Sequence, residues 1–280
     1  MKAVKRRRTP KAAAKRYGRI IVGGTIILVI VLLAVFAPYI TSYDPAKQDL
    51  TNKCAKPSAE HLFGTDVYGR DLFARIIYGG RVTLIIAFGV QFCAVVLGAV
   101  CGLVCGYFKS LDTLIMRLME GLNSIPGILL ALIMTQVFGP SVFNLMVALT
   151  IGLIPGITRM TRSQVLSLRE KEFIESEKAM GASNFRIIFG HIMPSCSHYF
   201  IIRFITGFAG NILATASLSY LGVGLDPSIP NWGAIVASGQ GLMLIHPHLI
   251  LYPGIAITIT AFAFSMFGEG MREILDPKLR

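Results

Sequence analysis

The sequence predicts an all-α polytopic membrane protein with six transmembrane helices, and three observations carry that prediction. Of its 280 residues, 54% are hydrophobic and only 15% charged, with a mean hydropathy of +0.64. A soluble domain spends about 25% of its residues on charge, and disorder requires low hydrophobicity, so both classes are excluded. Next, the chain contains five apolar stretches, one of double length, that match the roughly 20 helical residues needed to cross a hydrocarbon core. Finally, Lys and Arg gather in alternate connections, the pattern that sets membrane orientation.

The elements follow in order. Residues 1–19 hold nine of the 27 basic side chains and no acid, leaving a net charge of only +3 on the rest. No basic stripe therefore tracks a phosphate backbone, which excludes nucleic acid. The segment reads as a basic cytoplasmic tail touching the lipid bilayer. Ile20 to Ile40 is the first transmembrane anchor. Val35-Phe36-Ala37 resembles a cleavage site, but secretory cores run only about 7–15 residues, so an uncleaved anchor is favoured. Residues 41–81 form an extracytoplasmic loop.

The second span is Val82 to Phe108, with Gly89, Gly98, Gly102 and Gly106 on a face where another helix can approach closely. Gly121 to Thr158 is uncharged over 38 residues. As one helix it would reach about 57 Å at ~1.5 Å per residue, so Gly139-Pro140 divides it. The parts are Ile125 to Phe138, beginning nearer Met119 to reach full length, and Val142 to Ile157. The 159–191 loop carries Arg159, Arg162, Arg169, Lys171, Lys178 and Arg186. Tyr199 to Leu221 and Leu249 to Phe267 complete six spans, and residues 222–248 between them contain no Lys or Arg. Residues 82–268 thus make a five-helix core, followed by a 269–280 cytoplasmic tail. Both termini, the Lys109 to Arg117 connection and the 159–191 loop fall on the cytoplasmic side. The 41–81 loop is discordant, since Lys47, Lys53, Lys56, Arg70, Arg75 and Arg81 face outward.

Several chemistries are missing. There is no Gly-x-x-x-x-Gly-Lys-Ser/Thr nucleotide loop and no His-Glu-x-x-His zinc motif. Gly181-Ala182-Ser183 is the nearest approach to a nucleophile turn, and it lies in a charged loop. The spans hold no Asp or Glu of the kind that ion-coupled transporters place there, Glu120 and Glu269 being boundary residues. An enzyme is disfavoured. An ion-gradient-driven transporter stays as an alternative, because backbone carbonyls also coordinate ions. Five cysteines are an odd number, and Cys101 and Cys105 share a helix face without further ligands, so neither a disulfide framework nor a metal site is expected. This chain needs no cofactor of its own. Trp232 is expected to anchor the membrane boundary. Gln91, Asn144 and Asn211 are expected to bond helix to helix rather than line a pore.

The informative segment runs from Ser167 to Pro194. It reads as two short amphipathic helices about a hinge, with Gly181 ending the first and Ser183 or Asn184 capping the second. Phe173, Ile174, Met180, Phe185, Ile187, Ile188 and Phe189 need either a protein partner or the membrane surface, and pattern alone leaves the two even.

This stretch resembles the Glu-Ala-Ala, Gly, Leu-Pro signature of ABC-importer permeases, matched at Glu175, Gly181 and Pro194. Ser176 and Glu177 stand where alanines are usual, and Met193 replaces leucine. Further matches narrow the resemblance to the C-type permease of the dipeptide, oligopeptide and nickel importers. They are His61 through Asp71, Arg162 through Leu168-Arg169, Ser219 through Gly224, Pro230 through Ala234, and Gly268 through Asp276-Pro-Lys-Leu-Arg280. The resemblance runs from about Tyr43 onward and implies a type I ABC-importer-like permease.

It further implies a homologous second permease subunit, two cytoplasmic cassette ATPases holding ATP and Mg, an extracytoplasmic solute-binding protein, and residence in a bacterial or archaeal plasma (inner) membrane. ATPase coupling would then fall to Phe173, Glu175, Ser176, Glu177, Met180, Gly181, Ala182, Phe185, Arg186 and Pro194. Di- or oligopeptides are the implied cargo. Nickel or a metal chelate is the alternative, to which the His246-Pro-His248 turn adds little weight.

Overall fold

Inside a bilayer each backbone N–H and C=O must be satisfied within the protein, which favours helices. The computed structural model describes residues 10–226 and 228–275, with side chains from Tyr17 onward. The basic residues before Pro10 and the Asp276–Arg280 motif lie outside the described residues. The helices are α1 (Pro10–Val35), α2 (Ala37–Ile40), α3 (Leu72–Tyr107), α4 (Lys109–Asn123), α5 (Gly127–Phe138), α6 (Val142–Arg169), α7 (Glu172–Ala179), α8 (Asn184–Arg186), α9 (Met193–Tyr220), α10 (Trp232–Gly239) and α11 (His248–Leu275). Among the described residues the only β pairing is the isolated Thr65–Asp71 bridge. Five helices are long and apolar enough to cross a membrane, and a sixth crossing is made by α4 and α5 if that bent pair counts as one.

The centre of the bundle is α3 against α6. Gly98, Gly102 and Gly106 recur every fourth residue on α3 and meet Ile157, Thr161 and Val165 of α6. A side-chain carbon added at Gly98 would sit 2.7 Å from Ile157 Cβ, and one at Gly106 would sit 2.7 Å from Val165 Cβ. The backbones can therefore close only on glycine. α9 packs on the other flank of α3 through Phe204 and Phe208, and α11 follows through Phe264, whose ring stacks on Phe208 at 4.8 Å. α1 lies outermost. Its Gly23 faces Ala263 and Phe267 of α11, and Ile20 faces Gly270. Arg19 Nη1 stands 3.0 Å from Glu273 and 3.6 Å from Glu269, so the first and last described helices meet at one end of the bundle.

The first span breaks at Phe36, the fifth begins at Met193 and the sixth runs on to Leu275, and three further differences from expectation have plain physical reasons. The second span begins at Leu72 rather than Val82, because Asp71 caps α3 by accepting the Ala74 N–H at 2.7 Å. Arg75 and Arg81 thus belong to that helix. Arg75 lies buried, its Nη1 donating to Pro45 O at 3.0 Å and its Nε 3.4 Å from Asp66. Asp66 also accepts from Arg70 Nε at 2.7 Å. One carboxylate thus faces both arginines, while the loop's discordance in Lys and Arg stands.

The third span is interrupted at Pro126, which disfavours helix at the preceding residue. It splits into α4 and α5 at an 82° bend. α4 is amphipathic, exposing Leu111, Leu114 and Leu118 on one face, the spacing of a helix lying in a membrane interface. The fourth span does not stop at Ile157. Pro155 sits inside α6, which continues to Arg169, since charge ends a hydrocarbon crossing and not a helix.

Trp232 is no boundary anchor. It is 3% exposed, packs over Gly80 and donates Nε1–H to Ile76 O at 2.8 Å, joining α10 to α3. In the loop before α3, the Asp49 carboxyl is held below its usual pKa, first by the Thr51 hydroxyl and then by the Thr51 N–H and the Asn52 side chain.

Gly98→Val and Gly106→Val each overpack the α3–α6 seam at a cost of about 1–3 kcal/mol. The thermal midpoint of the detergent-purified chain should fall in both variants. Gly254→Ala, with nothing within 4 Å of the added carbon, should leave it unchanged or raise it.

Candidate functional site

The 170–192 connection is built on the ends of three long helices at the same end of the bundle as the described termini. Arg169 closes α6 by donating Nη1–H to the carbonyls of Gly106 and Tyr107 at 3.1 and 3.3 Å, supplying a cation to the C-terminus of α3. Arg162 makes a two-pronged pair with Asp112 of α4 at 2.5 and 2.6 Å. The foundation is thus cross-tied before the connection begins.

α7 is pinned to that foundation by one residue. Ile174 is fully buried in a cluster with Leu103, Tyr107, Val165, Ile187, Ile188 and Ile192. Tyr107 also bonds the far side of the connection, its hydroxyl donating to Asn184 Oδ1 at 2.7 Å. Lys178 Nζ stands 5.6 Å from the centre of the same ring.

Gly181 has φ +80°, a left-handed conformation that favours glycine. The Gly181 N–H donates to Lys178 O and the Ala182 N–H to Glu177 O, both at 3.0 Å. That pair of bonds is a Schellman stop, so the expected hinge at Gly181 is a hydrogen-bonded turn. Ser183 then caps α8, accepting the Arg186 N–H at 3.3 Å. The chain widens into a π turn over Ile187–Ile192 before α9. Pro194 accounts for the widening: it has no N–H to donate and its ring crowds the carbonyl four residues back.

The anchoring divides the apolar residues of the connection into two sets. Ile174, Ile187 and Ile188 face inward, while Phe173, Met180, Phe185 and Phe189 face out, with Met180 74% and Phe185 71% exposed. Phe185 and Phe189 lie with ring centroids 4.5 Å apart. Glu175, Ser176, Gly181, Arg186 and Pro194 are exposed with them, and Ala182 is half-buried. Glu177 turns the other way, with Oε1 3.4 Å from His191 Nε2. The departure from alanine at 177 is therefore taken up within the chain. Sequence spacing did not single out Tyr107 or Asp112, because their partners lie 77 and 50 residues away.

This arrangement offers a rigid, partly apolar surface and no catalytic pair. Among the described residues, no group of three His, Cys, Asp or Glu side chains could hold a metal ion. Within the spans, Gln91 joins α3 to α9 by donating to Arg203 O and accepting from Asn211 Nδ2, each at 2.8 Å. Asn144 donates to the carbonyls of Phe138 and Gly139. Gln91 and Asn211 make the helix-to-helix bonds expected of them and also border a cavity, while Asn144 bonds the turn between α5 and α6.

Residues 94–280 match the family described as the binding-protein-dependent transport system inner membrane component. Residues 19–57 match the N-terminal TM domain of oligopeptide transport permease C. The chain is 40% identical over 261 residues to the dipeptide transport system permease protein DppC of Alkalihalophilus pseudofirmus, covering 93% of this chain and 86% of that protein. It is 37% identical over 266 residues to the glutathione transport system permease protein of Salmonella typhimurium, again covering 93% and 86%.

Gly181→Ala forces a side chain into the left-handed region, at about 1–2 kcal/mol. Amides near the α7 C-terminus should exchange with deuterium about fivefold faster or more. Gly181→Asn should show a smaller change, because asparagine visits this region more readily.

Proposed function

Because this chain belongs to the family of binding-protein-dependent transport system inner membrane components, as a C-type permease of the peptide ABC importers, we propose that it forms half of a membrane pathway for di- or oligopeptides and is driven through its 173–188 segment. It is a multi-pass transport subunit and not an enzyme. The observation that carries the coupling role is the outward set of Phe173, Met180 and Phe185 on a segment tied by Ile174 and Tyr107 to the ends of the long helices. Exposed side chains of this size are costly to leave in water and suit the centre of a protein interface.

The partners follow from this role. Two cytoplasmic cassette ATPases bind ATP and Mg and receive the segment in a surface cleft. A homologous second permease completes the pathway, and an extracytoplasmic binding protein delivers cargo. The names of the dipeptide and glutathione permeases support peptide cargo. Both termini and the 159–191 region face the cytoplasm of the plasma (inner) membrane, in keeping with the basic residues there.

Closure of the ATPases on ATP moves α7 and α8. The Schellman stop and the Tyr107 bridge make these helices move as one body, so displacement passes to α3, α6 and α9 rather than being lost in a flexible loop. Glu175, Ser176, Gly181, Ala182, Arg186 and Pro194 shape the docking face. Glu177 acts from behind it, through His191.

Affinity purification of the tagged chain in mild detergent, with mass spectrometry of its partners, tests the assembly. A second permease and cassette ATPases should be recovered, and a chain that is stable and active alone would reverse the reading. Phe185→Asp should weaken ATPase association by about 2 kcal/mol or more, roughly thirtyfold. Glu175→Lys should lower ATPase recovery or cargo-stimulated hydrolysis. Unchanged values for both variants would remove the segment from the interface.

A further inference from the structure

The charge of Arg203, within α9, is not accounted for by the packing. Arg203 is the only Asp, Glu, Lys or Arg on α9. It lies about 15 Å along the helix from Met193 and about 25 Å from Tyr220, at ~1.5 Å per residue. Among the described residues its guanidinium takes part in no hydrogen bond or ion pair, and α3, α5 and α9 bring no carboxylate into the spans to meet it. Ionisable groups inside a membrane usually face the bundle interior or a water-filled cavity and have a partner there.

Arg203 lines a half-open cavity of about 350 Å³ between α3, α5, α6 and α9, together with Gln91, Thr206, Asn211, Gly127 and Gly152. The polar side chains nearby are bonded elsewhere and none of them carries a negative charge. Gln91 Oε1 takes the Asn211 amide, and the Thr206 hydroxyl donates to Ile202 O. The position of residue 203 does not depend on its side chain, because Gln91 Nε2 holds its main-chain carbonyl at 2.8 Å. Gly207, one turn on, lets the Gln91 carboxamide lie against the α9 backbone.

We propose that Arg203 is a specificity residue that receives a carboxylate of the cargo, and that this permease favours peptides with net negative charge. The inference rests on the peptide-import reading above. A neutral zwitterionic peptide brings an ammonium for its own carboxylate and leaves the cavity with its charge of +1. A peptide with one acidic side chain neutralises it, and a guanidinium can hold a carboxylate through two parallel N–H bonds. The apolar side chains of Ala148, Leu149 and Leu153 in the lining strengthen that pair relative to open solvent.

The test is ATP-driven uptake by the assembled importer in proteoliposomes, with the binding protein saturated by either Ala-Glu or Ala-Gln so that differences arise at the permease. The wild type should transport Ala-Glu about tenfold better, the discrimination that a charged hydrogen bond of this kind gives. In Arg203→Gln the ratio should fall to within about twofold, and Arg203→Lys, a charge without the two-pronged geometry, should restore it in part. Recovery of the second permease and ATPases with each variant reports assembly separately.

A wild-type ratio near one, or an unchanged ratio in Arg203→Gln, overturns the proposal while leaving peptide import intact. Loss of the second permease from Arg203→Gln overturns it by placing the missing counter-charge on that subunit. A wild-type importer that takes up neither peptide overturns the peptide reading, and this inference with it.

Discussion

The close approach of α3 and α6 through Gly98, Gly102 and Gly106 is the constraint on which the rest of the molecule depends. Lipid tails give helices no hydrophobic reason to associate, so the contact relies on dispersion over a close fit. With the two backbones in register, Arg169 reaches the last carbonyls of α3 and Arg162 reaches Asp112. Those ties fix the platform on which Ile174 is buried. The outward display of Phe173, Met180 and Phe185 is therefore set by glycines in the last three turns of α3.

The sequence made legible those features whose signals are local. Apolar length located the crossings, Gly139-Pro140 divided the long uncharged stretch, and Gly181 with Ser183 marked a helix stop and a helix start. The features that escaped depend on distant partners or on signals that charge and hydropathy conceal. Asp71 caps a helix that begins among basic residues, so α3 was cut at Val82. α4 is amphipathic, and its Leu111, Leu114 and Leu118 face was hidden by the neighbouring charges. Trp232 went to the core because Gly80, 152 positions earlier, leaves room for its indole. The coupling residues were legible as a set, but not their division. Only the burial of Ile174 shows that Glu177 faces His191 while Met180 faces out.

The two arginines at the loop end and the one in the middle of the bundle illustrate different ways of accommodating positive charge. Arg70 and Arg75 share Asp66, and Arg75 also reaches a main-chain carbonyl. These charges are met by an ion pair and a carbonyl within the fold. Arg203 has no such internal answer among the described residues. The same side chain is structural in one place and available in the other, and the difference lies in whether an acid was placed beside it.

The placement of α1 has a consequence for how the protein is made. Its Gly23 face and Arg19 are completed by α11, with 254 positions separating Arg19 from Glu273. During synthesis the first helix enters the bilayer long before the last one emerges, and until then its contact face is covered only by lipid or by whatever membrane chaperone is at hand. Long sequence separation delays such a contact. A ribosome that stops early therefore releases a product whose first helix keeps its contact with α3 through Ile30 but lacks its larger partner α11.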